Sequence, residues 1–558
     1  MVRTSRLGLL VTTCLCLLGG AAHAAAADPA YPVLDDKEMG QVRNIVELAR
    51  QPDGEWRDME VGVRNAFDAY QFQIAWMYYA LAVAQSQQTP AYRELYQASS
   101  NDLIRKMTRN DVWGWWQKVI DAPRFKKYLD QTKDWRDPVR EKNIMYSGHL
   151  LQMIGLYELL YRDQRYDAPG FLTFAITDAN PFVHKYNHED LAQIIHRQFV
   201  DSQFTGVECE PNLVFAECNQ HPVLGLMNYD QVHGGNLADI RQAFWDKAMA
   251  LGFLDQKKTQ RFTGPYLLAE QTLISNPSGW NDGWTGVTLH AWNKDLVKQV
   301  YPAQRDATVP ALLDTNPDAF KVRWNQASVS SDYGFMAALA AEVGDHATAQ
   351  RMLDFADAKF RPQWRNGRYV YPTNDVKVPG GPMFVTGDEL PGDKKDPPKP
   401  LSDDQIGEYQ VGPLNGNALL AFARLNPGEG LWRLNNDLAS TYVVDGPEVV
   451  GVDYPKVLVS QAYFDQARGV LAVAVKPGTE YRGEVSFRVR NLPRSGVYAV
   501  LLDGEPVATV KGRRIDVTRP GAISAAWAQA SQLSLAFQLQ EGRRLRIEGL
   551  TSRRVASR

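Results

Sequence analysis

The sequence predicts a mainly α protein, an (α/α)6 barrel followed by a small C-terminal β-sandwich. Apolar runs at helical spacing follow one another from about residue 37 to 435, separated by Gly, Pro and Asp. After about residue 441 the apolar residues instead recur at every second position, as they do in strands. About ten to twelve successive helices are too many for a four-helix bundle and fit a toroid of helical hairpins.

The predicted helices are long apolar or amphipathic runs bounded by breaker residues. They cover residues 66–84, 141–161, 191–202, 240–251, 285–301, 333–344 and 347–360. A stretch rich in Pro, Gly and charge, residues 375–410, interrupts this pattern. Connections of this length are uncommon in compact domains. A mobile surface insertion is slightly favoured over a lid.

The predicted strands are short and alternate or are rich in β-branched residues. They cover residues 456–464, 469–475, 484–489, 498–502, 507–510 and 533–539, with a hairpin-turn signal at Asp503-Gly504. Six or more short strands fit a small sandwich. We therefore expect a catalytic barrel at residues 28–437 and a structural β domain at 441–558.

The N-terminus has the features of a secretory signal. Arg3 and Arg6 precede a short apolar run at 7–18, and Ala22-His23-Ala24 is a small-x-small cleavage site. We expect a signal peptide at residues 1–24, cleavage near Ala24, and a periplasmic or secreted protein. No later apolar run reaches about 18 residues, so no membrane span is predicted.

Composition narrows the classes of partner. The chain has 558 residues, a net charge of −3 and 22% charged residues, which does not favour a nucleic-acid partner. Its 14 Trp, 24 Tyr and 21 Phe suit aromatic-lined surfaces or a large helical core. We expect a small-molecule ligand.

Two cysteines remain after removal of the leader, and acidic residues surround them. Cys209 and Cys218 are nine positions apart, with carboxylates at Glu208, Glu210 and Glu217. One interpretation is a structural disulfide, which an oxidising compartment would permit. The other is a pair of thiols that the neighbouring acids keep protonated.

One predicted helix carries a candidate acid–base group. Met145 and His149 are four positions apart and share a helix face, with Tyr146 beside them. A lone histidine on such a face is more often a core residue bonded to a backbone carbonyl. Imidazole is also the natural group for proton transfer near neutral pH.

Metal and cofactor motifs are absent from the sequence. The cysteines have no partner at the usual zinc-ligand spacing, and His184 and His188 lie in a polar, loop-like stretch. No Walker loop, dinucleotide fingerprint, G-x-S-x-G or H-E-x-x-H motif is present. We therefore predict no cofactor and no metal at the site, which leaves acid–base chemistry by side chains.

The stretch from Trp280 to Trp284 has two interpretations. The two tryptophans flank Asp282 and would suit an apolar substrate or a transient cation. Alternatively, Asn281 and Asp282 cap a helix that begins near Thr285. Both interpretations are compatible with each other.

The motif NIMYSGHL, residues 143–150, followed by CEPNLVFAECN, residues 209–219, resembles the linalool dehydratase/isomerase family. The similarity covers roughly residues 60–430. The resemblance implies a cofactor-free periplasmic hydro-lyase with an apolar cavity inside an (α/α)6 barrel, and a homo-oligomer. The cavity residues carry over to Cys209, Cys218, His149, Met145 and Glu210. Phe72 and Trp280 stand where the family has tyrosines, which predicts a rebuilt pocket wall.

These observations predict a cofactor-independent hydro-lyase or isomerase that acts on an apolar alcohol or alkene, with terpenoids as the implied class. Cys209, with Glu210, would be the acid and Cys218 with His149 the base, or the cysteines would exchange roles. The alternative is a secreted polysaccharide lyase or glycoside hydrolase using Asp282 and Asp332. A non-catalytic binding protein would be favoured if the cysteines and His149 lay far apart.

Overall fold

A computed structural model describes residues 30–59, 69–177, 181–314, 327–372, 411–479, 481–493, 496–529 and 532–550. The chain is mostly helical up to Asn436, and a separate β-rich region begins at Glu448, which confirms the predicted class at this level. The predicted signal peptide and the 375–410 segment lie outside the described residues. The domain boundaries stay a prediction.

The helices up to residue 201 are partly long and apolar and partly short connecting turns. They are α1 (Asp36–Ala49), α2 (Tyr70–Gln87), α3 (Glu94–Met107), α4 (Asn110–Trp113), α5 (Trp115–Asp121), α6 (Pro123–Lys126), α7 (Ile144–Tyr161) and α8 (His188–Asp201).

The later helices include one π-helical turn, Leu414–Leu419, that runs directly into an α-helix. They are α9 (Ala216–His233), α10 (Ile240–Leu251), α11 (Gly279–His290), α12 (Lys294–Leu312), α13 (Ala327–Glu342), α14 (His346–Lys359), α15 (Leu420–Leu425) and α16 (Gly430–Asn436).

Two helix predictions are wrong in detail. The helix expected at 285–301 is two helices, because the amide of Asn293 bonds back to Leu289 and closes α11 before α12 begins. Helix α11 starts at Gly279, where the Ser278 hydroxyl accepts from the amide of Asn281. Trp280 to Trp284 is therefore helical and not a turn that caps a helix at Thr285.

Six helices contact one another in a cyclic order. Helix α2 contacts α7, α7 contacts α9, α9 contacts α11, and α11 contacts α13. Helix α13 contacts the π-helical turn and α15, and both of these contact α2. Most of the remaining long helices each lie against two members of this series; α8, for example, contacts α7 and α9.

Helices α7 and α9 pack very closely because glycines line their contact. A Cβ added at Gly148 would lie 2.6 Å from Pro222 Cδ, and one at Gly155 would lie 2.6 Å from Asn228 Cβ. Both contacts advance in the same chain direction, so the helices are parallel. The first turn of α7 is therefore level with the first turn of α9, which contains Cys218.

Small sheets of two or three short strands occur within the helical region. They are β1 (Leu172–Ile176) with β2 (Phe182–Tyr186), the three-stranded β3 (Leu213–Val214), β4 (Tyr266–Leu267) and β5 (Thr272–Leu273), and β6 (Gln363–Arg365) with β7 (Arg368–Val370).

The β-rich region contains two antiparallel sheets. The first has the order β14-β13-β12-β17-β10-β9 and the second β15-β16-β11-β8. Their strands are β8 (Glu448–Val450), β9 (Val457–Asp465), β10 (Val470–Pro477), β11 (Gly483–Arg490), β12 (Val497–Leu502), β13 (Glu505–Lys511), β14 (Arg514–Val517), β15 (Ser524–Gln529), β16 (Gln532–Leu539) and β17 (Arg543–Glu548).

Backbone hydrogen bonds join the β-rich region to the helical region. The Ala91 amide donates to the Ala462 carbonyl at 2.9 Å, and the Val449 amide donates to the Ala91 carbonyl at 2.8 Å. Arg93 lies 3.7 Å from the buried carboxylate of Glu448. Among the described helices, none is both long and apolar enough to cross a bilayer.

Candidate active site

A tight turn holds Cys209 at the end of a loop. The Cys209 amide donates to the Leu213 carbonyl and the Leu213 amide to the Glu210 carbonyl, both at 2.9 Å. Asn212 has a φ of +75° in this turn, a region that Asn tolerates better than most residues. Its side chain bonds Glu270 and the Ala269 amide at 2.7 Å each, which fixes the loop to the neighbouring hairpin.

Asn219 fixes the same loop to helix α9. Its Oδ1 accepts from the Val207 amide at 2.8 Å, and its Nδ2 donates to the Val207 carbonyl at 2.9 Å. Because Asn219 follows Cys218 directly, this clamp holds the two cysteine-bearing segments against each other.

Cys209 and Cys218 are buried free thiols, and each shifts the pKa of the other. Burial raises the pKa of Cys218 to about 11, and burial together with the contact to Cys218 raises the pKa of Cys209 well above its usual value. Both groups are therefore protonated at neutral pH. The disulfide interpretation is wrong for this structure.

Two of the three predicted acids border the thiols. Burial raises the pKa of Glu210 to about 7 and that of Glu217 to about 8. Neither oxygen of Glu217 is bonded to any other described residue. Glu208 is different, since its carboxylate lies 2.5 Å from Lys142 Nζ. Glu217 was visible in the sequence as the neighbour of Cys218 but was not assigned to the site.

His149 is fully buried beside a tyrosine of helix α2. The Tyr79 hydroxyl lies 2.9 Å from His149 Nδ1. The Nε2 atom has no hydrogen-bond partner among the residues that the structure describes. Burial lowers the pKa of His149 to about 3, so the ring is a neutral imidazole with Nε2 available for a proton transfer.

A second imidazole, His221, lies against the first, with ring centroids 3.7 Å apart. The Trp284 indole donates to His221 Nε2 at 2.6 Å. Because indole is only a donor, Nε2 is the acceptor and the proton of His221 is on Nδ1, which faces Gln152 Oε1 at 2.7 Å. His221 is three positions after Cys218 on α9, a spacing that could have identified it.

Aromatic rings cover the histidine pair. Phe72 meets His149 edge-on with centroids 5.8 Å apart, and it meets Trp284 at 5.2 Å. Trp284 stacks on Phe335 at 4.8 Å. The structure thus brings the predicted residues Phe72 and Trp284 into one apolar wall with His149.

The two other predicted residues of helix α7 differ in their surroundings. Met145 is buried one turn before His149, in the turn whose first amide, that of Ile144, donates to the Glu208 carbonyl at 3.2 Å. Tyr146 extends toward helix α3, where its hydroxyl donates to the Met107 carbonyl at 2.7 Å. Met145 therefore belongs to the helical turn that bonds the cysteine loop, whereas the Tyr146 hydroxyl is bonded to helix α3.

Asp282 and Trp280 are engaged at the start of helix α11. The Asp282 carboxylate accepts from Arg261 Nε at 2.6 Å and from the Phe262 amide at 2.8 Å. The half-buried Trp280 donates its amide to Asp332 Oδ1 at 2.7 Å. Burial raises the pKa of both aspartates to about 7. Both oxygens of Asp282, one of the two aspartates that a sugar hydrolase would use, therefore already accept hydrogen bonds.

Comparisons with known proteins relate this chain to a protein family and to solved structures. Residues 71–377 match the family model described as linalool dehydratase/isomerase. The chain is also similar to a GH76 α-mannanase of Bacteroides thetaiotaomicron, at 10% identity and a TM-score of 0.38, over 72% of this chain and 98% of that one. At this similarity neither fold nor function follows from the mannanase. The family match covers more than half of the sequence, and this chain belongs to the linalool dehydratase/isomerase family.

Proposed function

We propose that this protein is a cofactor-independent hydro-lyase or isomerase that acts on an apolar alcohol or alkene, with terpenoid alcohols as the substrate class. The observation that carries the proposal is the pair of buried, protonated thiols, Cys209 and Cys218, which lie close enough to shift each other's pKa. A neutral imidazole, His149, is on the neighbouring parallel helix. Family membership supports the same class of reaction.

Elimination of water needs an acid for the hydroxyl and a base for the proton on carbon. In our proposal the Cys209 thiol gives its proton to the hydroxyl as the C–O bond breaks. Cys218 gives its thiol proton to His149 Nε2 as its sulfur accepts the proton from carbon and the double bond forms, with the Nδ1–H of His149 donated to Tyr79. Cys218 then passes a proton to the Cys209 thiolate and recovers one from the His149 imidazolium, which restores the resting state. The same path serves if the cysteines exchange roles.

The carboxyl groups support the acid half of this scheme. Glu210 and Glu217 have pKa values raised by burial to about 7 and 8, so near neutral pH Glu217 is mostly protonated and Glu210 is partly protonated. Burial keeps the resting cysteines protonated, and the ionised fraction of the carboxyl groups adds to this effect. Glu217, with no bonded neighbour among the described residues, is the better placed to supply a proton if Cys218 takes the acid role.

The aromatic wall supports an apolar substrate. Water is excluded from a site whose cysteines, histidines and indole are nearly fully buried, and charge interactions strengthen in such surroundings. The faces of Phe72 and Trp284 would stabilise positive charge that develops on an allylic carbon. We retain Met145 as a wall residue, whereas Trp280, Asp282 and Tyr146 have only their sequence-based assignment.

The proposal also includes the architecture of the enzyme, its export and its assembly. The cyclic order of contacts among six helices supports an (α/α)6 barrel at residues 28–437. The two antiparallel sheets support a β-sandwich at 441–558. Export to the periplasm after cleavage near Ala24, and assembly as a homo-oligomer, remain predictions.

A mass-spectrometric screen of terpenoid and other tertiary alcohols under reducing conditions tests the function. Wild-type protein should form products that have lost one water, and the Cys209→Ala variant should not. His196→Gln, on helix α8 and outside the thiol cluster, is the matched control and should behave as wild type. Product formation that is equal in all three proteins would refute the thiol mechanism.

A further inference from the structure

Four side chains that are distant in sequence meet at the far end of helices α7 and α9. Glu158 lies in the last turn of α7, and Asp167 ends a 3-10 turn, Arg165–Asp167. His188 is the first residue of α8 and His233 the last residue of α9. Glu158 Oε2 lies 2.8 Å from His188 Nδ1 and 3.1 Å from His233 Nε2.

Asp167 completes the group. Its Oδ1 lies 3.5 Å from His233 Nε2 and 3.9 Å from His188 Nδ1. One ligand atom from each of the four residues lies within 4.8 Å of all the others. The four atoms are therefore close enough together for one ion to reach all of them.

Histidines are the basic partners of the two carboxylates in this cluster. In the part of the chain that the structure describes, the ion-pair partners of Glu158 and Asp167 are the two histidines, without a lysine or arginine. Glu158 and His188 are fully buried.

Two buried polar atoms in the cluster are also unsatisfied. Neither Glu158 Oε1 nor His188 Nε2 has a hydrogen-bond partner among the described residues. A buried carboxylate oxygen without a donor costs free energy unless another group compensates it. A cation between the four side chains would supply that compensation to Glu158.

We propose that Glu158, Asp167, His188 and His233 bind one divalent transition-metal ion, with Zn²⁺ the best fit. Zinc accepts imidazole nitrogen and carboxylate oxygen at about 2.0–2.2 Å, which places tetrahedral ligands about 3.4 Å from one another. The four nitrogen–oxygen separations, from 2.8 to 3.9 Å, bracket this distance, and the two remaining pairs lie within 4.8 Å. Two nitrogen ligands disfavour Ca²⁺ and Mg²⁺, which prefer oxygen.

The ion would have a structural role. Four protein ligands fill a tetrahedral shell and leave no open position for a substrate, as in structural zinc sites. Glu158 is nine residues after His149 on α7, which places the cluster about 14 Å along the helix from the proposed catalytic imidazole. The ion would tie the end of α7 to the start of α8 and the end of α9.

The test measures zinc retained by the mature, untagged protein. Protein treated with a chelator is given excess ZnCl2, passed through a desalting column and analysed for metal by mass spectrometry. Wild type and His196→Gln should each keep one zinc per chain. His233→Gln and Asp167→Asn should keep none, or bind at least about tenfold more weakly in a calorimetric titration.

Two further readouts separate folding and thiol binding from this site. Zinc should raise the melting temperature of wild type but not of His233→Gln, whose circular dichroism should match that of wild type. Cys209→Ser should still retain zinc. Retention of zinc by His233→Gln and Asp167→Asn, loss of zinc in Cys209→Ser, or no zinc on wild type would each overturn the proposal. None of these outcomes depends on catalytic activity.

Discussion

The imidazole rings of His149 and His221 pack against each other at a tilt of 38°, with centroids 3.7 Å apart, and both are fully buried. His221 is locked by Trp284 and Gln152, whereas among the described residues His149 is hydrogen-bonded only through Nδ1, by Tyr79. Burial lowers the pKa of His149 to about 3. His149 can therefore hold a proton only briefly, which suits a base that must return it within one turnover.

Replacing His149 and replacing Tyr79, which is hydrogen-bonded to it, should lower kcat by different amounts. We expect His149→Gln to lower kcat by about 100-fold or more, the range for a general base. Tyr79→Phe removes only the hydrogen bond to Nδ1 and should lower kcat by about tenfold. Initial rates on the best substrate of the screen give both values. A larger loss in Tyr79→Phe than in His149→Gln would contradict these roles.

Each of the two thiols should be required for turnover. Cys209→Ala and Cys218→Ala are each expected to lower turnover by about 100-fold to 10,000-fold, because each removes an acid or a base from the elimination. Oxidation that joins the two sulfur atoms should abolish turnover, and a reductant should restore it. Rates are measured before and after each treatment, with free thiols counted in parallel. Full activity in the oxidised protein would rule out thiol chemistry.

Glu217 should make the stability of the protein depend on pH. Its pKa is raised by burial from 4.5 to about 8, so the folded state keeps a proton that the unfolded chain loses. The resulting stabilisation is complete below about pH 4.5 and is lost as the pH rises toward 8. In this range the free energy of unfolding should fall with rising pH more steeply in wild type than in Glu217→Gln. The two slopes should differ by about 1.4 kcal/mol per pH unit.

Denaturant unfolding of wild type and Glu217→Gln at several pH values checks this slope. Glu189→Gln is the control, since Glu189 is exposed in the first turn of α8. It should follow wild type at every pH. Parallel curves for wild type and Glu217→Gln would mean that Glu217 is ionised in the folded protein.

Glu342 should be a major contributor to stability. Its fully buried carboxylate accepts from the amides of Leu431 and Trp432, each at 3.0 Å. It also accepts from Asn426 at 2.8 Å and meets His290 Nδ1 at 3.0 Å. Glu342→Ala leaves these groups without a partner and should cost about 3–5 kcal/mol.

The shift in the midpoint of urea unfolding measures this cost. Glu55→Ala removes an exposed glutamate and should change stability by less than about 0.5 kcal/mol. Similar midpoints for Glu342→Ala and Glu55→Ala would show that the buried contacts contribute little.

The sequence predicted most of the long helices because their apolar runs contain no proline. It missed helix α9, which carries Cys218 and His221, because Pro222 and Gly225 interrupt the pattern. A proline inside a helix normally removes a hydrogen bond and clashes with the preceding turn. Here its ring packs on Gly148 of the neighbouring helix, a contact that no local pattern reveals.

The thiol pair and His149 could be proposed from the sequence because helical spacing and family motifs identify them. Glu217 and Tyr79 could not be ranked, because their importance depends on burial and on a neighbour from another helix. The Glu158 cluster was missed for a related reason. Its members come from three helices and one turn, and only the packing of α7, α8 and α9 brings them together.

The glycine-lined contact between α7 and α9 also limits how substrate range can be altered. Enlarging Gly148 or Gly225 would push apart the helices that carry His149 and the Cys218–His221 pair, so libraries at these positions would mostly yield inactive protein. Phe72 comes from a different helix and only borders the imidazole with its ring edge. Changes in side-chain size at residue 72 could therefore reshape the space for a substrate while the catalytic groups keep their spacing.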